Sequence, residues 1–250
     1  MKPSYSFEGS LYKAPEKKFK ETVFFVHFYE GSKALLRKHI SLVRSLGYDA
    51  FAFNLKYDFS PFHLPIASRG RIGVKHVYAD EIEKCMNEVH GPKIVYAFSN
   101  PVAAAIEAME RRFCTDTVAL IADSGPSGDL VKSIYSLYKE QNRLGPLPLR
   151  LAATPLLSLA WSPLLHKDTR EQLSHFPQDF PVLSIRGWKD PLIPADQIDA
   201  IFENQPKLDW QKVALPAAGH LNGLRDFPDE YIPPLKRFLT EVSTPLVETP

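Results

Sequence analysis

Apolar positions along this chain fall into two alternating patterns: short dense runs, and stretches where they recur every third or fourth residue. Thr22–Phe28 (TVFFVHF) is apolar almost without a break, as a strand covered on both faces should be. After Glu30-Gly31-Ser32, the residues Leu35, Leu36, Ile40, Val43 and Leu46 recur at helical spacing and stop at Gly47, which predicts a helix over Lys33–Leu46. The same reasoning predicts strands at Asp49–Leu55, Lys93–Phe98 and Thr117–Ala122, with helices at Val74–Val89 and Pro101–Arg112. Residues 4–12 alternate loosely, as an edge strand does. Strand and helix alternating through short links argue for an α/β fold, a mostly parallel central sheet with helices on both faces.

The rhythm breaks after residue 124. Residues 125–180 hold a helical run at Asp129–Gln141 and then apolar pieces punctuated by proline (LGPLPLRLAATPLLSLAWSPLLH). It resumes with a strand at Pro181–Arg186, a helix at Ala195–Glu203, a strand at Trp210–Leu215 and a helix near Pro234–Val242. The predicted organisation is a core formed by 1–124 and 181–243, a helical Pro/Leu-rich cap at 125–180, and a frayed tail at 244–250. The leucines between Leu144 and Leu165, with Trp161, suit a lid over an apolar pocket or an extension of the core. Prolines there would hold short helices at fixed angles.

Composition narrows the class without choosing the chemistry. The 250 residues are enough for one sizeable core, and 44% hydrophobic with 24% charged residues is ordinary for a globular protein. A formal net charge of +1, with basic residues scattered, gives no electrostatic reason to expect nucleic acid as a partner. No run reaches transmembrane length and the first residues lack a signal-type apolar core, so a cytoplasmic protein without integral membrane association is expected. Cys85 and Cys114 are too few for a disulfide framework and are expected as reduced thiols. No residue cluster has zinc spacing and no glycine-rich phosphate loop follows the first core strand, so neither metal nor cofactor is expected.

The candidate chemistry starts at KIVYAFSNPVAAAIEA, Lys93 to Ala108, where an apolar run stops at Ser99 and turns at once into a small-residue helix. A nucleophile on such an elbow has small neighbours two positions either side, the G-x-S-x-G pattern. Here the pattern is Ala97-Phe98-Ser99-Asn100-Pro101, and Pro101 suits the first helical turn. Ser99 is equally placed to be a plain helix cap. A serine hydroxyl needs a base within reach and an acid to orient that base. Asp190 lies in RGWKDPLIP after one predicted strand, and His220 in AAGHLNG after the next. All three side chains therefore emerge at the C-terminal edge of the sheet, where open α/β sheets bind ligands. A backbone N–H from the loop VHFYEGS (26–32), with that of Asn100, would supply an oxyanion hole. Rivals remain: Ser127 in Gly125-Pro126-Ser127-Gly128 as nucleophile, and Asp123 at a strand end as acid. His27 fits as a prop for the oxyanion loop. Arg69, Arg71 and Lys75 read as a solvated basic face or an anionic-substrate contact.

Taken together, these motifs resemble the α/β-hydrolase superfamily from about residue 20 to about 240. VHFYEGSKALLRKHISLVRSLGYDAFAFNL resembles the family's oxyanion loop, helix and strand, with Phe28 where glycine is usual. RGWKDPLIP and AAGHLNG resemble its acid and histidine loops, and Asp80 falls where many members carry an aspartate. The resemblance implies Ser99 as nucleophile, Asp190 as acid, His220 as base, the N–H groups of Tyr29 and Asn100 as oxyanion donors, and 125–180 as the variable cap. It implies a serine hydrolase acting on a carboxylic ester or thioester of an apolar acyl or aromatic small molecule. The alternatives are a catalytically silent ligand-binding protein, suggested by Phe28 and Pro101, and a C–C bond hydrolase using the same three side chains.

Overall fold

The computed structural model describes residues 9–56, 65–141, 147–162 and 164–246, with the side chains of 140–153 and 163 excepted. Residues 4–8 of the expected edge strand, Leu144 and the end of the tail lie outside the described residues. Seven strands form one sheet: β1 (Ser10–Tyr12), β2 (Thr22–Val26), β3 (Asp49–Ala52), β4 (Lys93–Phe98), β5 (Thr117–Asp123), β6 (Phe180–Gly187) and β7 (Leu208–Leu215). Their spatial order is β1-β3-β2-β4-β5-β6-β7. All pairings are parallel except that of β1 with β3, which makes β1 an antiparallel edge.

Period-2 alternation divides the interior between the two faces. On β2, Phe24 and Val26 enter one core and Val23 and Phe25 the other. The first core is roofed by α2 (Val74–Glu88), α3 (Pro101–Arg111), α6 (Leu165–Ser174) and α7 (Ala195–Phe202). The second is covered by α1 (Arg37–Ser45), α8 (Gly223–Asp226) and α9 (Pro228–Val242). In α3, Ala103, Ala104, Ala105 and Ala108 are all buried, and small side chains let this helix lie close against the sheet.

Several elements depart from the hydrophobic pattern. β2 ends at Val26 and β3 at Ala52, short of the apolar runs, because His27 and Phe28 already belong to a loop. Residues 33–36 form a 3-10 turn that leads into α1. Within 125–180 there are α4 (Leu130–Gln141), α5 (Leu147–Trp161) and α6. Within the proline-punctuated stretch, Leu147–Trp161 is one fifteen-residue helix with Pro155 inside it. α4 packs on α5, whereas α6 packs on α3 and α7. α9 begins at Pro228, with Asp229 and Glu230 in its first turn, six residues before the expected start. The start of the tail is not frayed: Lys20 N donates to Thr244 O and Leu246 N to Lys18 O, and Phe19 pairs with Pro245.

Candidate active site

Ser99 sits between the last residue of β4 and Asn100, which precedes α3, with no residue to spare. Its φ of 57° lies in the left-handed region, a conformation that costs a non-glycine residue roughly 1–2 kcal/mol and persists only where surroundings enforce it. The surroundings are specific. Ser99 N donates to Asp123 O at 2.8 Å, and Ser99 O accepts from Val102 N at 3.1 Å as α3 begins. Gly125 presses against the elbow from the next strand: a Cβ there would stand 2.3 Å from Ser99 O. Pro101 occupies the first turn of α3, where its missing N–H is no loss.

Two further loops meet this elbow. Asp190, buried just past β6, accepts Leu192 N at 2.8 Å and Ile193 N at 3.0 Å on Oδ1, which fixes the carboxylate plane. Its Oδ2 accepts from His220 Nδ1 at 2.7 Å. That bond places the proton on Nδ1 and leaves Nε2 as acceptor for the Ser99 hydroxyl, 3.1 Å away. Gly187 allows the two loops to touch, since a Cβ there would stand 2.5 Å from Ala218 O. Leu221, at φ 58°, turns the chain directly after His220, and Asn222 Oδ1 accepts Gly219 N at 2.9 Å across the same turn. Ser99, His220 and Asp190 thus form one hydrogen-bonded chain drawn from the C-terminal ends of β4, β7 and β6.

The loop after β2 forms the opposite wall. His27 is buried; its Nδ1 donates to Phe28 O at 2.7 Å and its Nε2 accepts Leu55 N at 2.9 Å. Burial holds its imidazole below the usual range and therefore neutral, a prop that joins this loop to the one after β3. Gly31 N closes a turn on Phe28 O at 2.9 Å, with Glu30 at φ 58° inside it. A cavity of about 300 Å³ lies between this loop and the elbow. Ser99, Asn100, His220, Phe28 and Tyr29 line its floor, and Ile134, Leu137 and Tyr138 of α4 with Leu157 and Trp161 of α5 form its roof. The Trp161 ring meets Tyr29 edge-on at 5.0 Å and Tyr78 at 5.7 Å, so the roof is pinned to the loop after β2 and to α2.

The rival residues are engaged elsewhere. Ser127 is buried, its hydroxyl donating to Gln197 Oε1 at 2.7 Å and accepting Asp129 N at 3.1 Å. Asp123 accepts Ser124 Oγ at 2.8 Å and Tyr231 OH, and is hydrogen-bonded to no histidine. The basic group is split: Arg69 and Arg71 lie on the solvent face, Lys75 lies in the core, and none of the three lines the cavity. Lys75 is fully buried, 3.3 Å from Glu107 and 3.0 Å from Gln172; Arg71 reaches Glu107 and Asp168; Arg69 pairs with Glu83. His76, at 2.7 Å, and Arg111, at 2.6 Å, complete a charge cluster around Glu107 that ties α2, α3 and α6 together. Asp80 accepts Ser68 N and Arg111, a structural position. Cys85 and Cys114 are free and buried. Among the described residues, no group of three or more His, Cys, Asp or Glu side chains is placed to hold a metal ion. Sequence reasoning missed Gly125 and Ser124; the signal was the turn-forming Asp-Ser-Gly-Pro directly after a strand, which drew notice only as a rival elbow.

No family model matches the sequence, and no curated protein matches it. Solved structures do. An esterase of Pyrococcus furiosus superposes with a TM-score of 0.62 at 18% identity, over 96% of this chain and 91% of that one. A monoacylglycerol lipase of Paleococcus ferrophilus gives 0.64 at 16%, over 96% and 100%. MGS-MChE2, an α/β-hydrolase enzyme from the metagenome of Mar Chica lagoon sediments, gives 0.59 at 15%, over 96% and 97%. At these identities the likeness is one of architecture, and that architecture is the α/β-hydrolase fold.

Proposed function

We propose that this chain, folded as an α/β hydrolase, is a serine hydrolase that cleaves carboxylic esters or thioesters of apolar acyl or aromatic small molecules. The observation that carries this is the unbroken chain from Ser99 Oγ through the His220 ring to Asp190, opening into a cavity with an apolar roof. Ser99 attacks the substrate carbonyl as its proton passes to His220 Nε2. Asp190 holds the ring in the required tautomer and stabilises the imidazolium. The N–H groups of Tyr29 and Asn100, both in the cavity floor, receive the oxyanion, a contribution of roughly 3–4 kcal/mol per donor in such sites. The alcohol or thiol leaves with the proton from His220, and a water deprotonated by the same nitrogen releases the acyl group. Helices α4 and α5 act as the cap, setting which acyl groups fit.

Phe28, at the position where glycine is usual, lines the cavity floor and packs against the second core, which supports a defined site rather than a collapsed one. The test is labelling with a fluorophosphonate, mapping of the adduct, and turnover of short-chain p-nitrophenyl esters. Modification at Ser99 and loss of turnover in Ser99→Ala are expected. An active protein labelled elsewhere refutes the assignment. An inert one that binds apolar ligands in this cavity is the silent-binder alternative, and one that ignores esters but cleaves a C–C bond next to a carbonyl belongs to the third class.

A further inference from the structure

Asp123 is a fully buried titratable group beside the Ser99–His220–Asp190 chain that the proposed mechanism leaves unused. With Ser124 it forms a dipeptide tied to the Ser99 elbow, to β6 and to the turn after His220. Asp123 O accepts Ser99 N at 2.8 Å, and Ser124 N donates to Ile185 O of β6 at 2.9 Å. Asp123 Oδ1 accepts the Ser124 hydroxyl at 2.8 Å, and Ser124 Oγ in turn accepts Leu221 N at 3.4 Å, the residue that turns the chain after His220. Asp123 Oδ2 accepts Tyr231 OH from α9, itself hydrogen-bonded to Tyr96 OH from β4.

The titratable groups that face this carboxylate are Tyr231, Tyr96, His39 from α1 at 4.0 Å, and His220 and Asp190 across the loops. Burial drives His39 down to about 3, so it is neutral and offers no countercharge. No Lys or Arg nitrogen lies within 4 Å of Asp123 among the described residues. Burial pushes the Asp123 carboxyl up to about 6, with the Tyr231 and Ser124 hydroxyls pulling the other way. The Asp123 carboxylate is held by the Ser124 and Tyr231 hydroxyls, and the His220 imidazole, which becomes cationic during turnover, is a charge that favours its ionised form.

We propose that Asp123 is a positioning residue for the reaction: through Ser124 it sets the turn that aims the His220 ring, and its negative charge favours the imidazolium. This rests on the serine-hydrolase reading above.

The experiment compares the full-length parent, Asp123→Asn and Tyr231→Phe in p-nitrophenyl ester hydrolysis from acid to alkaline pH, normalised to sites titrated with a fluorophosphonate. For Asp123→Asn, kcat per titrated site falls about tenfold with KM unchanged, and the acid limb moves to lower pH by about half a unit. Tyr231→Phe keeps the charge but removes a donor that lowers the carboxyl, so it behaves like the parent in alkali and like Asp123→Asn near neutrality. If Asp123→Asn fails to fold, Tyr231→Phe decides alone. An active parent whose acid limb is unmoved in the variants, with loss only in proportion to folded sites, overturns the proposal and leaves the hydrolase reading standing. A parent that neither turns over esters nor labels at Ser99 sinks that reading and this proposal with it.

Discussion

The contact between Gly125 and the Ser99 elbow makes a sharp prediction, because a single methyl group there strikes only backbone. In Gly125→Ala the new Cβ would stand 2.3 Å from Ser99 O, 2.4 Å from its carbonyl carbon and 2.8 Å from its Cα. Carbon and oxygen settle no closer than roughly 3.3 Å, so the two segments must part by about 1 Å. No rotamer change relieves this, and both segments are tethered, Ser99 N to Asp123 O and Ser124 N to Ile185 O. The elbow is taken as the segment that yields, because Ser99 already holds a left-handed backbone there. Movement of that size takes Ser99 Oγ from 3.1 Å to about 4 Å from His220 Nε2, beyond hydrogen-bonding range. A misplacement of that order costs on the order of 10²-fold in kcat, about 2.7 kcal/mol of barrier. Overpacking adds about 1–3 kcal/mol of destabilisation, with roughly 2–4 °C of melting temperature lost per kcal/mol in a chain of this size. The assay is kcat on a p-nitrophenyl ester beside a thermal melt on the same sample. A well-folded Gly125→Ala protein with kcat within about threefold of the parent would show that the elbow does not depend on this contact.

Asp190→Asn should fold normally yet lose roughly 10³–10⁴ in kcat. The amide oxygen will stay on Leu192 N and Ile193 N, turning its NH₂ toward His220 Nδ1 and forcing the ring into the wrong tautomer; near-parental turnover would contradict this. Burial alone would raise the Glu107 carboxyl, but the His76 hydrogen bond and the Lys75 and Arg111 charges outweigh it and hold it well below its ordinary 4.5. A depressed carboxyl contributes stability that is present above 4.5 and is lost as pH falls below it. Denaturant titrations should therefore find Glu107→Gln about 3–5 kcal/mol weaker near neutrality, with a flatter loss in acid than the parent. Burial pushes the Cys114 thiol up to about 12 and the Cys85 thiol higher still. An aromatic disulfide reagent at mildly alkaline pH should accordingly find no reactive thiol until denaturant is added.

What was legible in the sequence follows from what each signal measures. β4 matched its apolar run residue for residue because Pro92 and Ser99 bound it sharply on either side. The Asp190 and His220 loops could be read because each follows a strand and has a glycine close by, Gly187 three residues before Asp190 and Gly219 beside His220, where backbone constraint shows in composition. The ends of β2 and β3 could not, since the strands stop where His27 leaves the ladder to join two loops, and a histidine's partners are set by distant chain. Prolines misled twice. Pro155 and the pair Pro233-Pro234 stand inside helices, because packing on neighbouring elements outweighs the local cost of a missing N–H. Lys75 read as surface beside the exposed Arg69 and Arg71 because its partners, Glu107 and Gln172, come from helices remote in sequence. Gly125 was invisible as a spacer, since the sequence holds no record of which backbone lies opposite.

The pairing of residues 18–20 with 244–246 has a consequence for engineering. Because Leu246 is held beside Lys18, a circular permutant can be built with a flexible bridge between the two ends of the sequence, and the polypeptide reopened at a surface bend such as the one around Gly91, where a Cβ would meet nothing. A rearranged gene of that kind would separate β2 and β3 from β4 in order of synthesis while leaving their spatial adjacency intact. Whether it still yields active protein would reveal if the order in which the ribosome delivers these strands matters to assembly.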